Sequence, residues 1–341
     1  MTRRFRRFFP LSAALGLGLL ASLFWGAAAQ ALTEAERDEM RALAHSRLGV
    51  QLLLNQGQTL LYGPTRRTLE APGAGGLRAF GGLAGSRQKV SGNGRTTMDG
   101  YSFLAGLGER LAIQDSLLAA FTYGFFGEGG TGRFETSRTF ATGPTWGEGR
   151  SRYVGGGVLL GTELINGVHM DGAFRMGQAV TTLEEFKTIA PGARPESSNS
   201  YLGAGGTLGW RTPLGESLGL DFYGRLLWGH QAAGFGTEEF KADELNSTQL
   251  MLGSRADFQI GRGWLVYAGA AWDYEFNGRA ELALNSRREG GPYASLKGGS
   301  LMGEAGLELA GEGGFSARLG VEGAGGRREA LGGVLRLLYE F

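Results

Sequence analysis

Leu331-Gly-Gly-Val-Leu-Arg-Leu-Leu-Tyr-Glu-Phe341, the last eleven residues, alternate with a period of two. Leu331, Leu335, Leu337, Tyr339 and Phe341 fall on one side of an extended chain, with Gly333 among them. Gly332, Val334, Arg336, Leu338 and Glu340 fall on the other. Successive side chains of a strand point to opposite faces, so this segment has one apolar face ending in two aromatics and one mixed face. An edge strand of a soluble sheet could end this way. A strand with lipid on one side and an aromatic girdle at the water boundary requires it.

Composition narrows the choice. The chain has 63 Gly in 341 residues, no Cys, and 42% hydrophobic residues. Beyond the amino terminus no apolar run is long enough to cross a bilayer as a helix. A membrane protein of this composition must therefore be a closed barrel, because only helices and barrels satisfy every backbone group in lipid. The missing cysteines exclude disulfides and thiolate metal sites.

Residues 1–31 read as a secretory signal peptide. Arg3, Arg4, Arg6 and Arg7 form the basic region, Leu11 to Trp25 the apolar core, and Ala29-Gln30-Ala31 the cleavage site. Taking the four leader arginines from 34 basic residues leaves 30 against 33 acids, a net of −3. Nothing in that balance points to nucleic acid or an anionic membrane surface as partner.

Residues 32–76 form the second segment, a helix and a linker. Thr33-Glu34-Ala35-Glu36 is a capping box, and Glu34/Arg37 and Asp38/Arg41 pair opposite charges three residues apart. The pattern predicts a helix to about Gly57, broken by Pro64 and the glycines near position 75. Its polar surface suits a wet channel, with residues from about Thr33 to Leu54 in the lumen of a barrel. The alternative is a helix on the periplasmic surface.

Residues 77–341 carry twelve alternating segments, near 77–87, 97–112, 115–127, 151–164, 167–181, 199–212, 217–231, 248–260, 263–277, 293–309, 314–323 and 329–341. In the seventh, Leu218, Leu220, Phe222, Leu226 and Trp228 oppose Asp221, Tyr223 and Arg225. The third and fourth are apolar or glycine on both faces. Connections after even-numbered segments are tight, as at Asn166 and Gly261-Arg262. Most of those after odd-numbered segments are long and polar: 128–150, 182–198, 232–247 and 278–292. Short turns at one end and long loops at the other predict an all-β membrane protein, a twelve-stranded antiparallel outer-membrane barrel with its tight turns in the periplasm.

A leader, one helix and twelve strands closing on Phe341 resemble the translocator domain of autotransporters, the type V secretion systems. The resemblance rests on that architecture, on Asp99-Gly-Tyr-Ser-Phe103 at the start of the second strand, on Leu220-Asp-Phe-Tyr-Gly-Arg-Leu-Leu-Trp228, and on the closing strand. It implies a helix threading the pore and export of an amino-terminal passenger. Only a short stretch precedes the barrel here, so the expectation is a translocator or display barrel without a sizeable passenger. A passive diffusion pore for small solutes is the alternative. The resemblance also implies recognition of Leu337, Tyr339 and Phe341 by the outer-membrane insertion machinery. Outer-membrane lipid is the other expected partner, and a monomer the expected state.

Candidate chemistry is sparse. Gly127-Glu-Gly-Gly-Thr-Gly132 matches a dinucleotide-binding pattern, but no helix follows it and glycine is abundant. His169 and Asp171 share a strand face, without the further acids a barrel protease needs. His45 and His230 have no legible partners, so no metal, cofactor or enzyme activity is expected. Asn55 lacks the paired asparagine of self-cleaving relatives. The inward charges Asp171, Arg175, Asp221, Arg225, Arg255, Asp257, Asp273, Glu304, Arg318, Glu322 and Arg336 alternate in sign. They read as a network bracing wall and helix, or as the solvated lining of a wet lumen.

Overall fold

The computed structural model describes residues 34–62, 76–92, 94–113, 117–140, 143–186, 196–235, 240–280, 282–284, 294–311 and 314–341. The signal peptide and cleavage site expected over 1–31 lie outside them.

Twelve long strands follow one helix, α1 (Glu34–Tyr62). They are β1 (Gly76–Ser91), β2 (Arg95–Ala112), β3 (Leu118–Phe140), β4 (Gly143–Leu164), β5 (Val168–Phe186) and β6 (Glu196–Leu214). Then come β7 (Leu218–Gln231), β8 (Leu245–Gly261), β9 (Trp264–Glu275), β10 (Gly298–Ala310), β11 (Phe315–Gly326) and β12 (Arg328–Glu340). Each pairs antiparallel with its sequence neighbour. β1 pairs with β12 from Arg78↔Glu340 to Val90↔Arg328, which closes the barrel. Short strands in the long connections, such as Phe240–Ala242 with Leu282–Leu284, extend the wall at that end.

Parity along the strands follows the sequence. On β12, Leu331 and Phe341 are each 72% exposed, whereas Val334, Arg336 and Leu338 are at most 7% exposed. The outward face of the whole barrel is apolar, with Phe103, Phe125, Val154, Leu208, Leu226, Trp264, Trp272 and Leu319 among its exposed side chains. Tight turns at one end use left-handed glycine where the reversal demands it, as at Gly263 (φ 76°).

Two expectations need correction. The long loop expected over 128–150 is strand: β3 and β4 stay in register from Leu118↔Leu164 up to Phe140↔Gly143. The Gly127–Gly132 glycine pattern lies inside β3, with no phosphate-cradling loop. The alternation does continue there, through Phe126, Glu128 and Phe134, but the glycines between them mask it. The helix also runs past Gly49 and Gly57 to Tyr62 instead of ending near residue 57.

Candidate functional site

Within the unit spanning 38–341, the helix from Ala44 onward is buried among inward-facing strand residues. That stretch rises about 27 Å at 1.5 Å per residue, close to the thickness of a hydrocarbon layer. His45 meets Thr96 at the start of β2, 3.1 Å away, at the long-connection end. Leu60 and Leu61 pack with Phe80, Leu104, Phe126, Leu159 and Leu338 toward the other end. The amino end of α1 therefore points to the long connections.

The lumen helix is less polar than its first turns. Leu48, Leu52, Leu53 and Leu60 are all but fully buried, Leu53 lies beside Gly100 of β2, and Leu60 sits in an apolar seam with β1–β4, β7 and β12. This seam explains why β3 and β4 are apolar on both faces: lipid meets one and α1 the other. Close approach needs glycine. A Cβ on Gly57 would overlap the Tyr153 hydroxyl, and one on Gly49 would sit 2.9 Å from Cβ of Phe134.

Polar contacts on the helix are chiefly amide and carbonyl. Asn199 Nδ2 donates to Gln231 Oε1 (3.3 Å), Gln231 Nε2 to Gln51 Oε1 (2.7 Å), and Gln51 Nε2 to Asn55 Oδ1 (2.7 Å). Gln56 donates to Ser86 Oγ (3.0 Å) and the Gly100 carbonyl (3.1 Å), while Ser102 donates to Gln56 (3.2 Å). Each satisfies a group that burial would otherwise penalise. Arg47 donates to the carbonyls of Ala232 (3.2 Å) and Asp243 (3.1 Å), at the base of the β7–β8 connection.

Two arginines of the wall hold the helix backbone. Arg175 Nη1 donates to the Leu54 carbonyl (3.0 Å), and its Nε pairs with Glu128 at 2.8 Å, both side chains being at most 3% exposed. Tyr201 donates to the same carboxylate (2.8 Å) and stands edge-on to Tyr153. Arg336 Nη2 donates to the Thr59 carbonyl (3.4 Å), in the last helical turn, where carbonyls lack helix partners.

The remaining inward charges gather across the lumen. His169 Nε2 and Asp221 Oδ1 lie 3.0 Å apart, and Arg211 lies 4.0 Å from the same carboxylate. Arg255 pairs with Asp257 (2.8 Å) and Glu304 (3.8 Å), Arg318 with Glu308 (2.6 Å), and Asp273 with Arg328 (2.8 Å). The Tyr267 ring meets the guanidiniums of Arg255 and Arg318, 3.8 Å and 4.5 Å from its centroid. Arg225 donates to Thr207 (3.3 Å). Asp171, Arg225, Glu304, Glu322 and Arg336 line a small polar space beside Thr59, near the end of α1.

The eleven charges named from sequence thus fall into two sets. Arg175 and Arg336 touch the helix. Asp171, Asp221, Arg225, Arg255, Asp257, Asp273, Glu304, Arg318 and Glu322 lie on β5 and β7–β11, where ion pairs join most of them to one another and to other wall residues. Leu337, Tyr339 and Phe341 face outward. Glu128, which falls where the sequence reads as loop, and Tyr153 and Tyr201 are functional positions that sequence reasoning misses. Charges on α1 were expected to find charges on the wall. Arg47 donates to two carbonyls and feels the Asp243 carboxylate, while the side chains of Glu34, Arg37, Asp38, Glu39 and Arg41 lie outside the described residues.

Comparisons with known proteins agree with this architecture. Residues 77–322 match the model of the family described as Autotransporter beta-domain. The translocator domain of the autotransporter NalP from Neisseria meningitidis is similar over 88% of this chain and 97% of its own, at 16% identity and a TM-score of 0.62. The transport unit of the autotransporter AIDA-I from Escherichia coli is similar over 89% and 99%, at 13% identity and a TM-score of 0.61. The beta domain of the Bordetella autotransporter BrkA shares 18% identity over 79% and 100%, with a TM-score of 0.53. The sequence matches none of the curated proteins with which it was compared. A family match over most of the chain, on a closed twelve-stranded barrel, places this protein among the autotransporter β-domains.

Proposed function

We propose that this barrel is a translocator or display element of the outer membrane whose lumen is closed by α1. The observation that carries the reading is the seating of residues 44–62 in the lumen, with Arg175 and Arg336 on the helix backbone. A helix merely resting in a wide pore would not have its carbonyls gripped by buried guanidiniums. In this reading the tight turns and both barrel ends lie in the periplasm, and the long connections lie outside. Leu337, Tyr339 and Phe341 present the outward row that the insertion machinery reads.

Conductance in planar bilayers tests the closure. The intact protein should conduct weakly, and deletion of residues 34–62, with folding checked by heat-modifiable mobility, should raise conductance severalfold. A large, steady conductance in the intact protein would instead favour a passive pore for small solutes. The charge-lined space beside the end of the helix gives that second reading its support.

A further inference from the structure

A second space beside α1 continues the charge-lined one. The first is bordered at one end by Arg211 and Asp221, which pair in register close to the tight turn between β6 and β7. The second is bordered at the other end by Gln88 of β1 and by Arg328, the first residue of β12, next to the reversal from β11. Thr59 of α1, Met302 of β10 and Glu322 of β11 border both. Each space is wide enough for water. Together they trace a route from one rim of the barrel to the other, with a waist at those three residues and the helix still seated.

Charges along the route lean negative. Arg211, Arg255 and Arg328 border it, but each has an acid that does not: Glu163 at 3.8 Å, Asp257 at 2.8 Å and Asp273 at 2.8 Å. Asp171, Asp221, Glu304 and Glu322 are then set against Arg225 and Arg336. Glu304 and Glu322 stand directly opposite each other on β10 and β11, a like-charge pair that destabilises a ladder. Glu304 has Arg255 only at 3.8 Å, and Glu322 feels Arg336 and Arg328 without an ion pair to either among the described residues. Of the three residues at the waist, Glu322 alone carries a charge.

We propose that the seated plug leaves a water-filled leak for small inorganic cations, and that Glu322 at its waist sets the preference for them. The leak rests on the seating of α1 in the lumen proposed above. A carboxylate at a narrow, wet constriction attracts cations and repels anions, and the opposed Glu304 adds to that field. The competing account is that the two spaces are closed from each other at the waist and that their charges serve only the wall.

Planar-bilayer recording of the full-length chain under a potassium chloride gradient separates the two accounts. The intact protein should carry a small conductance whose reversal potential favours potassium over chloride. Glu322→Gln, with folding checked by heat-modifiable mobility, should lower the potassium-to-chloride permeability ratio at least about twofold. The chain has no cysteine, so Thr59→Cys offers a single thiol at the waist. A small cationic methanethiosulfonate should modify it faster than an anionic one of similar size, and modification should remove most of the conductance. A permeability ratio unmoved by Glu322→Gln, a conductance indifferent to modification at position 59, or none above that of the lipid alone overturns the leak. Failure of the plug itself looks different: the intact protein then conducts strongly, and deleting residues 34–62 changes nothing.

Discussion

At the scale of the residue, Gly57 and Arg175 decide how tightly the helix sits. Gly57→Ala places a methyl against the Tyr153 hydroxyl, in a seam with no slack. Overpacking of this kind costs about 1–3 kcal/mol. Thermal unfolding followed by gel mobility should shift downward, and adding Tyr153→Phe should recover part of the loss by removing the atom in the way. No recovery would mean that the strain lies elsewhere. Arg175 poses a different problem. Arg175→Met leaves Glu128 buried without its counter-charge, for which losses of about 3–5 kcal/mol are typical. Arg175→Met with Glu128→Gln should therefore be clearly more stable than Arg175→Met alone in a denaturant titration. Equal stability of the two would show that water, not Arg175, compensates Glu128.

At the scale of the element, α1 is a stopper with one committed side. Gly49 and Gly57 press on Phe134 of β3 and Tyr153 of β4, Leu60 and Leu61 pack with β1–β4, β7 and β12, and the space beside Thr59 is lined by charges on β5–β12. Ala44 is fully buried, so Ala44→Cys should resist a bulky thiol reagent in the folded barrel and react after denaturation. Labelling at the rate of the unfolded chain would place the helix outside the lumen. The strands were legible because lipid imposes a strict period of two, seen in Phe222, Leu226 and Trp228 against Asp221 and Arg225. The β3–β4 hairpin beyond Glu128 was not, because no lipid faces it there and glycine supplies no parity. The helix seam was hidden for a related reason. Gly49 and Gly57 look like breaks in a lone helix, and only the facing Phe134 and Tyr153 show them to be contact points. Charge sign was legible on every strand, yet partners were not, since Arg175 and Glu128 are far apart in sequence and their pairing depends on register.

At the scale of the whole molecule, the barrel presents two unequal rims. Epitope tags within the connections near residues 190 and 288 should be labelled on intact cells, and tags at Asn166 or Arg262 should not. The opposite pattern would invert the proposed topology. The β1–β12 seam carries a further consequence, which concerns time. The first strand of the barrel has its second partner in β12, so wall-to-wall pairing waits until residues 328–340 have been made and delivered. A chain cut short before β12 keeps two unpaired edges, one on β1 and one on β11, and edges of that length invite aggregation or proteolysis. Removing residues 328–341 should abolish the heat-modifiable species and leave degradation fragments in the periplasm, whereas a folded yield like that of the full chain would show that eleven strands can close. The seam thus makes arrival of β12 a condition of survival: a copy without it is marked for disposal by its own open edges.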